Sequence, residues 1–264
     1  QLKDTLALLE LDVIESLEDM GSGIVEFAEL NYLFHTNSYS PSDPLYLQQW
    51  NKTKMKADSL QQIVNADTTA DDGDIIIAIL DTGVDTGHVD LKNKLVINQL
   101  ELNGTDGVDD DGNGFVDDVY GWDIINNDGV AHDDNSHGTH CAGIAAAEAN
   151  NNLGIVGISE GAKILPVKVL QSNGWAGSDQ IGQGIVYAAN NGADILSMSF
   201  GGYGRSQIQE NALAYAYAFS LPIAAAGNDG IKLGPCFMCY PSYPAAYSFV
   251  LGVQATKNFQ NVNG

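Results

Sequence analysis

Residues 74–85 read Asp-Ile-Ile-Ile-Ala-Ile-Leu-Asp-Thr-Gly-Val-Asp. The aliphatic run over 74–80 shows no polar alternation, the pattern of a strand buried on both faces. Such a strand needs cover on two sides, and the sequence after it supplies that cover. Residues 137–149 are rich in small helix formers, and residues 163–170 predict a strand. Residues 178–190 predict a helix capped by Ser178 and stopped at Gly192. A strand over 194–198 and a helix over 206–220 follow, with Ser206 and Gln209 spaced for a capping box. Strands over 221–226 and 248–253 complete the series. This alternation implies an α/β fold, a mainly parallel sheet covered by helices on both sides. In such sheets ligands gather outside the carboxyl ends of the strands.

Charge narrows the function further. The 264 residues carry 34 acidic and 11 basic side chains, a formal net charge of −23. Phosphate backbones would be repelled, so nucleic acid is excluded as a partner, and the balance suits cations. The hydrophobic share of 44% is that of a globular chain, not a disordered one. The longest aliphatic run, over 75–80, is too short for a membrane-spanning segment. Three cysteines are too few for a disulfide scaffold. The chain opens on Gln1 without a signal peptide, and both ends read as cut. Residues 38–44, Ser-Tyr-Ser-Pro-Ser-Asp-Pro, form a turn-rich linker. They separate a small unit over 1–37 from the remainder, 38–264.

Three segments put polar residues where strands end or helices begin. Asp81 closes the first strand in Leu80-Asp81-Thr82-Gly83-Val84-Asp85. His137 opens a helix of small residues in Ser136-His137-Gly138-Thr139-His140-Cys141-Ala142-Gly143. Asn228 follows a buried strand in Ala224-Ala225-Ala226-Gly227-Asn228. Each is unremarkable singly, as a turn residue, a structural histidine or a turn asparagine. Together, and in this order, they resemble the subtilisin-like serine proteases. The resemblance runs from about Asp43 to the end and implies the three-layer subtilisin-like fold. It gives Asp81 the role of orienting His137, His137 that of general base and acid, and Asn228 that of oxyanion donor. His140 would pack inside the helix.

The family's nucleophile lies in Gly-Thr-Ser-Met-Ala or a close variant, which does not occur here. Ser242 and Ser248 are the only serines after Asn228, and neither is placed to open a helix. The expectation is therefore a catalytic serine beyond residue 264 and little or no hydrolysis by this stretch alone. The resemblance also implies substrate pairing, as an added strand, with two segments. One is Asn173-Gly174-Trp175-Ala176-Gly177-Ser178, the other Ser199-Phe200-Gly201-Gly202. Ala225, Ala226 and Gly227 would line the pocket for the residue before the scissile bond. Asp229 reads either as that pocket's rim or as a solvated turn.

Residues 109–118 read Asp-Asp-Asp-Gly-Asn-Gly-Phe-Val-Asp-Asp. Asp109, Asp111, Asn113 and the Phe115 carbonyl fall at EF-hand positions 1, 3, 5 and 7. Position 12 is Tyr120 rather than glutamate, so Asp117 or Asp118 would supply the missing carboxylate to calcium. A second calcium site follows from the resemblance. It comprises Asp43, Asp90 and Asn151 with the carbonyls of Leu153 and Ile155.

Cys141 matches a free thiol beneath the catalytic histidine in some branches of the family. Cys236 and Cys239 are open between a disulfide, a metal pair and two thiols. Residues 1–37, with Val-Glu-Phe-Ala-Glu-Leu-Asn-Tyr over 25–32, resemble the end of an α+β propeptide that inhibits its own enzyme, with cleavage near 34–40. The expectation is a secreted, monomeric, calcium-stabilised endopeptidase acting on polypeptides. Its rivals are a catalytically dead calcium-binding module of the same fold and an acidic metal-dependent hydrolase. The latter lacks a second cluster at ligand spacing.

Overall fold

A computed structural model describes residues 41–57, 59, 61, 75–229 and 240–255. The expected propeptide, the 34–40 cleavage point, Cys236 and Cys239 lie outside the described residues. Among the described residues six strands form one sheet: β1 (Ile76–Asp81), β2 (Trp122–Asp123), β3 (Lys163–Lys168), β4 (Ile195–Met198), β5 (Leu221–Ala225) and β6 (Leu251–Val253). Their order is β2-β3-β1-β4-β5-β6, and every neighbouring pair is parallel. The helices are α1 (Trp50–Met55), α2 (Gln99–Leu102), α3 (His137–Ala146), α4 (Ser178–Asn190) and α5 (Gln207–Ala216).

Strand β1 lies between β3 and β4, which explains its uniformly apolar sequence. Ile77 and Ile79 pack with Ala142 and Ala146 of α3 on one face. Ala78 and Leu80 pack with Ile185 of α4 and Leu213 of α5 on the other. Two cores thus sandwich the sheet, giving three layers.

Several element boundaries differ from the sequence reading. β3 stops at Lys168, because the N–H groups of Val169 and Leu170 both turn onto the Asp81 carbonyl (2.9 and 3.0 Å). α3 stops at Ala146, since Ala147 leaves the helical region at φ −54°, ψ 142°. The cap of α4 is Gly177, not Ser178, and its N–H donates to Gln180 Oε1 at 2.9 Å. Only half of the Ser206 capping box forms. Ser206 Oγ accepts from the Gln209 N–H (3.4 Å), while the Ser206 N–H goes to the Tyr247 hydroxyl (3.1 Å).

Candidate active site

Asp81 is the last residue of the central strand, fully enclosed at the carboxyl edge of the sheet. The chain then turns sharply through Gly83 at φ +106°, where a Cβ would lie 2.6 Å from the His132 carbonyl oxygen. His137 is the first residue of α3. Gly138 lets that helix approach: a Cβ there would lie 2.0 Å from the Gly83 carbonyl oxygen. The result is a 2.7 Å contact between His137 Nδ1 and Asp81 Oδ1, an oxygen that also accepts the Thr82 N–H at 2.8 Å. The side chains are 47% and 1% exposed, respectively. A buried carboxylate thus holds Nδ1–H and leaves Nε2 bare at an open edge, the arrangement a general base requires.

Asp133 organises this junction and was missed in the sequence, where it stood as one more acid in an acid-rich chain. Its Oδ1 accepts the Thr82 hydroxyl (2.8 Å) and the N–H groups of Asn135 and Ser136 (both 2.9 Å). Its Oδ2 accepts the Thr139 N–H (2.9 Å) and hydroxyl (2.6 Å). Thr82 Oγ1 in turn accepts the Gly138 N–H at 3.0 Å. The end of β1 is thereby tied to the first turn of α3, with the anion near the positive end of the helix. Burial by itself would raise the Asp133 pKa, but these hydrogen bonds outweigh it and lower the value to about 2. The available signal was an aspartate three residues before the position that precedes the helix.

Cys141 lies one turn along α3, a free thiol with Sγ 3.9 Å from His137 Nδ1. Burial first, then the negative charges of Asp81 and Asp133, push its pKa up to about 11 against an opposing hydrogen bond from Ser199. His140 is exposed rather than packed inside the helix. It lines a cavity of about 520 Å³ together with His88 and His132.

Asn228 follows β5 and is exposed after Gly227, which has φ +101°. Because β1, β4 and β5 run parallel, Asn228 stands at the same edge as Asp81. Gly174, at φ +81°, forms the turn from Gln171 to Trp175, and Trp175 is 76% exposed. Ala176 and Gly177 lead from that turn into α4. Asn135 Nδ2 donates to the Ser172 carbonyl (2.7 Å), joining the turn to the loop before His137. Ser199, Phe200 and Gly201 follow β4. Gly202, expected to close the substrate-pairing segment, instead exchanges two main-chain hydrogen bonds with Tyr243 (2.9 and 2.7 Å), so its own main-chain groups are already paired. Ala225 ends β5, while the Ala226 N–H is held by the Val253 carbonyl at 2.8 Å. Asp229 accepts the Tyr203 hydroxyl, so its carboxylate has a partner.

In the acidic loop, Asp111 and Asp118 converge with Glu101 of α2, with oxygens within 4.8 Å of one another. Glu101 was not anticipated because it precedes the loop in sequence. Its carboxylate accepts the N–H groups of Asp110, Asp111 and Asp117 (2.8, 3.0 and 2.9 Å). The Asp109 carboxylate accepts from the N–H groups of Gly112, Asn113 and Gly114. Asn113 Oδ1 accepts the Phe115 N–H, and the Asp117 carboxylate accepts that of Gly107. Burial raises the Asp118 pKa against hydrogen bonds from Tyr187, Asn113 and Asn98, and Asp111 raises it further. Mutually repelling hard oxygens in this arrangement fit calcium.

At the second position Asp43 Oδ2 accepts the Asn150 N–H (2.7 Å), while its buried Oδ1 has no hydrogen-bond partner among the described residues. Asp90 accepts from Asn151 Nδ2 (2.7 Å) and the Ile155 N–H (3.1 Å). The Leu153 N–H donates to Asn151 Oδ1 (2.8 Å), and the Leu45 N–H bonded to the Gly154 carbonyl (3.0 Å) brings the Asp43 segment alongside. An orphaned buried carboxylate oxygen beside this loop fits a cation.

Residues 72–263 match the model of the Subtilase family. The chain is 37% identical over 226 residues to thermitase of Thermoactinomyces vulgaris, covering 84% of this chain and 68% of thermitase. It is 33% identical over 241 residues to the thermophilic serine proteinase of Bacillus sp. (strain AK1), covering 90% of this chain and 51% of that protein. It is 42% identical over 183 residues to the cell wall-associated protease of Bacillus subtilis (strain 168), covering 69% and 17%. The chain belongs to the subtilase family. It spans about half of the second relative and less than a fifth of the third.

The lowered Asp133 pKa has a consequence for acid stability. A folded value near 2, below the ordinary 3.8, means that the stabilisation is complete above about pH 4 and fades as the pH falls toward 2. Asp133→Asn should lower stability at neutral pH by about 0.5–2 kcal/mol, the range of a helix cap. Urea midpoints measured against pH should show wild type and variant drawing together below about pH 4 and converging only at about pH 2 and below.

Proposed function

We propose that the protein is a secreted subtilisin-like serine endopeptidase, stabilised by calcium, monomeric and made as a precursor inhibited by residues 1–37. The observation that carries this reading is the 2.7 Å bond from a buried Asp81 to an open-edged His137. In the reaction, His137 Nε2 takes the proton of a serine hydroxyl as its oxygen attacks the peptide carbonyl. Asp81 stabilises the imidazolium that forms, and Asn228 donates to the tetrahedral oxyanion. His137 returns the proton to the leaving amine, and a water that it activates then releases the acyl-enzyme. The serine belongs to a Gly-Thr-Ser-Met-Ala type segment that the 264 residues do not contain, so by themselves they should hydrolyse little. The substrate strand would lie between Gly174–Gly177 and Ser199–Gly201, with its side chain toward Ala225, Ala226 and Gly227.

Asp109, Asp111, Asn113, the Phe115 carbonyl and Asp117 or Asp118 would hold one calcium ion, with Glu101 added by its approach to Asp111 and Asp118. Asp43, Asp90 and Asn151, with the carbonyls of Leu153 and Ile155, would hold another. The ions would supply charge that the clustered carboxylates lack and take no part in bond cleavage.

In the protein carrying the serine segment, Asp81→Asn should lower kcat on a peptide substrate by about 10⁴. Asn228→Ala should lower it by about 10²–10³ with KM little changed. Undiminished hydrolysis in His137→Ala would contradict the reading, whereas calcium binding without hydrolysis in the unmodified protein would favour the dead module. Chelation by EDTA should lower the melting temperature by about 5–10 °C, reversed by calcium at about a hundredfold over its Kd. An unchanged melting temperature would remove calcium from the account.

A further inference from the structure

Lys168 is the last residue of β3, directly opposite Asp81 in the parallel register. Its side chain is 2% exposed. Its ammonium donates to the Thr82 carbonyl (2.7 Å), the Leu170 carbonyl (3.1 Å) and Asp134 Oδ1 (2.7 Å). Taking an ammonium out of water is costly, and an aliphatic side chain would fill the same space without that penalty. Its neighbours Ile164, Leu165 and Val167 are aliphatic and buried, so the lysine breaks an otherwise apolar run.

The three acceptors belong to three different segments. Thr82 follows Asp81, gives its N–H to the Asp81 carboxylate and receives the Gly138 N–H on its hydroxyl. Leu170 lies just past the point where β3 leaves the ladder, and its N–H is held by the Asp81 carbonyl. Asp134 stands in the loop that delivers His137, beside the Asp133 anchor. Beyond Asp81 and Lys168 the ladder ends, and the ammonium closes the gap that opens there.

We infer that Lys168 is a positioning residue for the Asp81–His137 pair, clamping the chain segments that carry the two partners so that their hydrogen bond stays short. The inference rests on reading that pair as catalytic, but its test does not need hydrolysis. In the 264-residue protein, the His137 Nδ1 proton shared with a buried carboxylate should give a proton NMR signal far downfield of the amides. Lys168→Met should lose that signal or speed its exchange with solvent about tenfold or more, the scale set by one hydrogen bond to a charged group. Asp134→Ala, whose side chain is nearly half exposed and so spares the core, should shift the exchange the same way by a smaller factor. Ile185→Ala, which destabilises the opposite core layer, should leave the signal unchanged. The inference is overturned if folded Lys168→Met keeps the wild-type signal and exchange rate, or if Lys168→Met is unfolded and Asp134→Ala exchanges as wild type. It is overturned equally if Ile185→Ala produces the same loss. Absence of the signal in wild type would instead remove the catalytic pair, and the clamp with it.

Discussion

The close approach of α3 to the end of β1 is the constraint on which the site depends. Gly138 against Gly83 leaves no room for a side chain, and only at that separation can His137 Nδ1 reach Asp81 Oδ1. The sheet fixes one partner and the helix fixes the other. The core beneath them, Ile77 and Ile79 against Ala142 and Ala146, uses small helix residues for the same reason. A bulkier helix face would lift His137 away from the strand edge.

Buried or half-buried carboxylates organise the loops at that edge. Asp133 gathers the backbone before α3, Glu101 the acidic loop, and Asp123 the turn after β2 through the N–H groups of Ile125 and Asn126. Each anion gathers N–H donors, since a chain with only 11 basic residues cannot provide countercharges for 34 acids. At Asp43 Oδ1, which meets no donor among the described residues and lies beside the Asp90–Asn151 loop, the environment favours a cation.

Much of the fold was legible because periodicity survives in sequence. The unbroken apolar run before Asp81 marked the central strand, and the alternation of patterns marked the parallel sheet. Boundaries were less legible because they depend on distant partners. β3 ends where Val169 and Leu170 meet Asp81, and the Ser206 N–H finds Tyr247 rather than Gln209. At the site, Asp81 and His137 could be picked out because their motifs are local. Asp133, Lys168 and Glu101 could not, because their meaning lies in contacts across the fold. The lysine carried the clearest signal, a charge closing an apolar strand.

The most direct test of the central claim is the reaction of a fluorophosphonate with the protein carrying the serine segment, mapped by peptide mass spectrometry. The account predicts one modified serine, in a segment after Asn228, and loss of that modification in His137→Ala. Equal labelling with and without His137, or no labelled serine at all, would show that the Asp81–His137 pair activates no nucleophile.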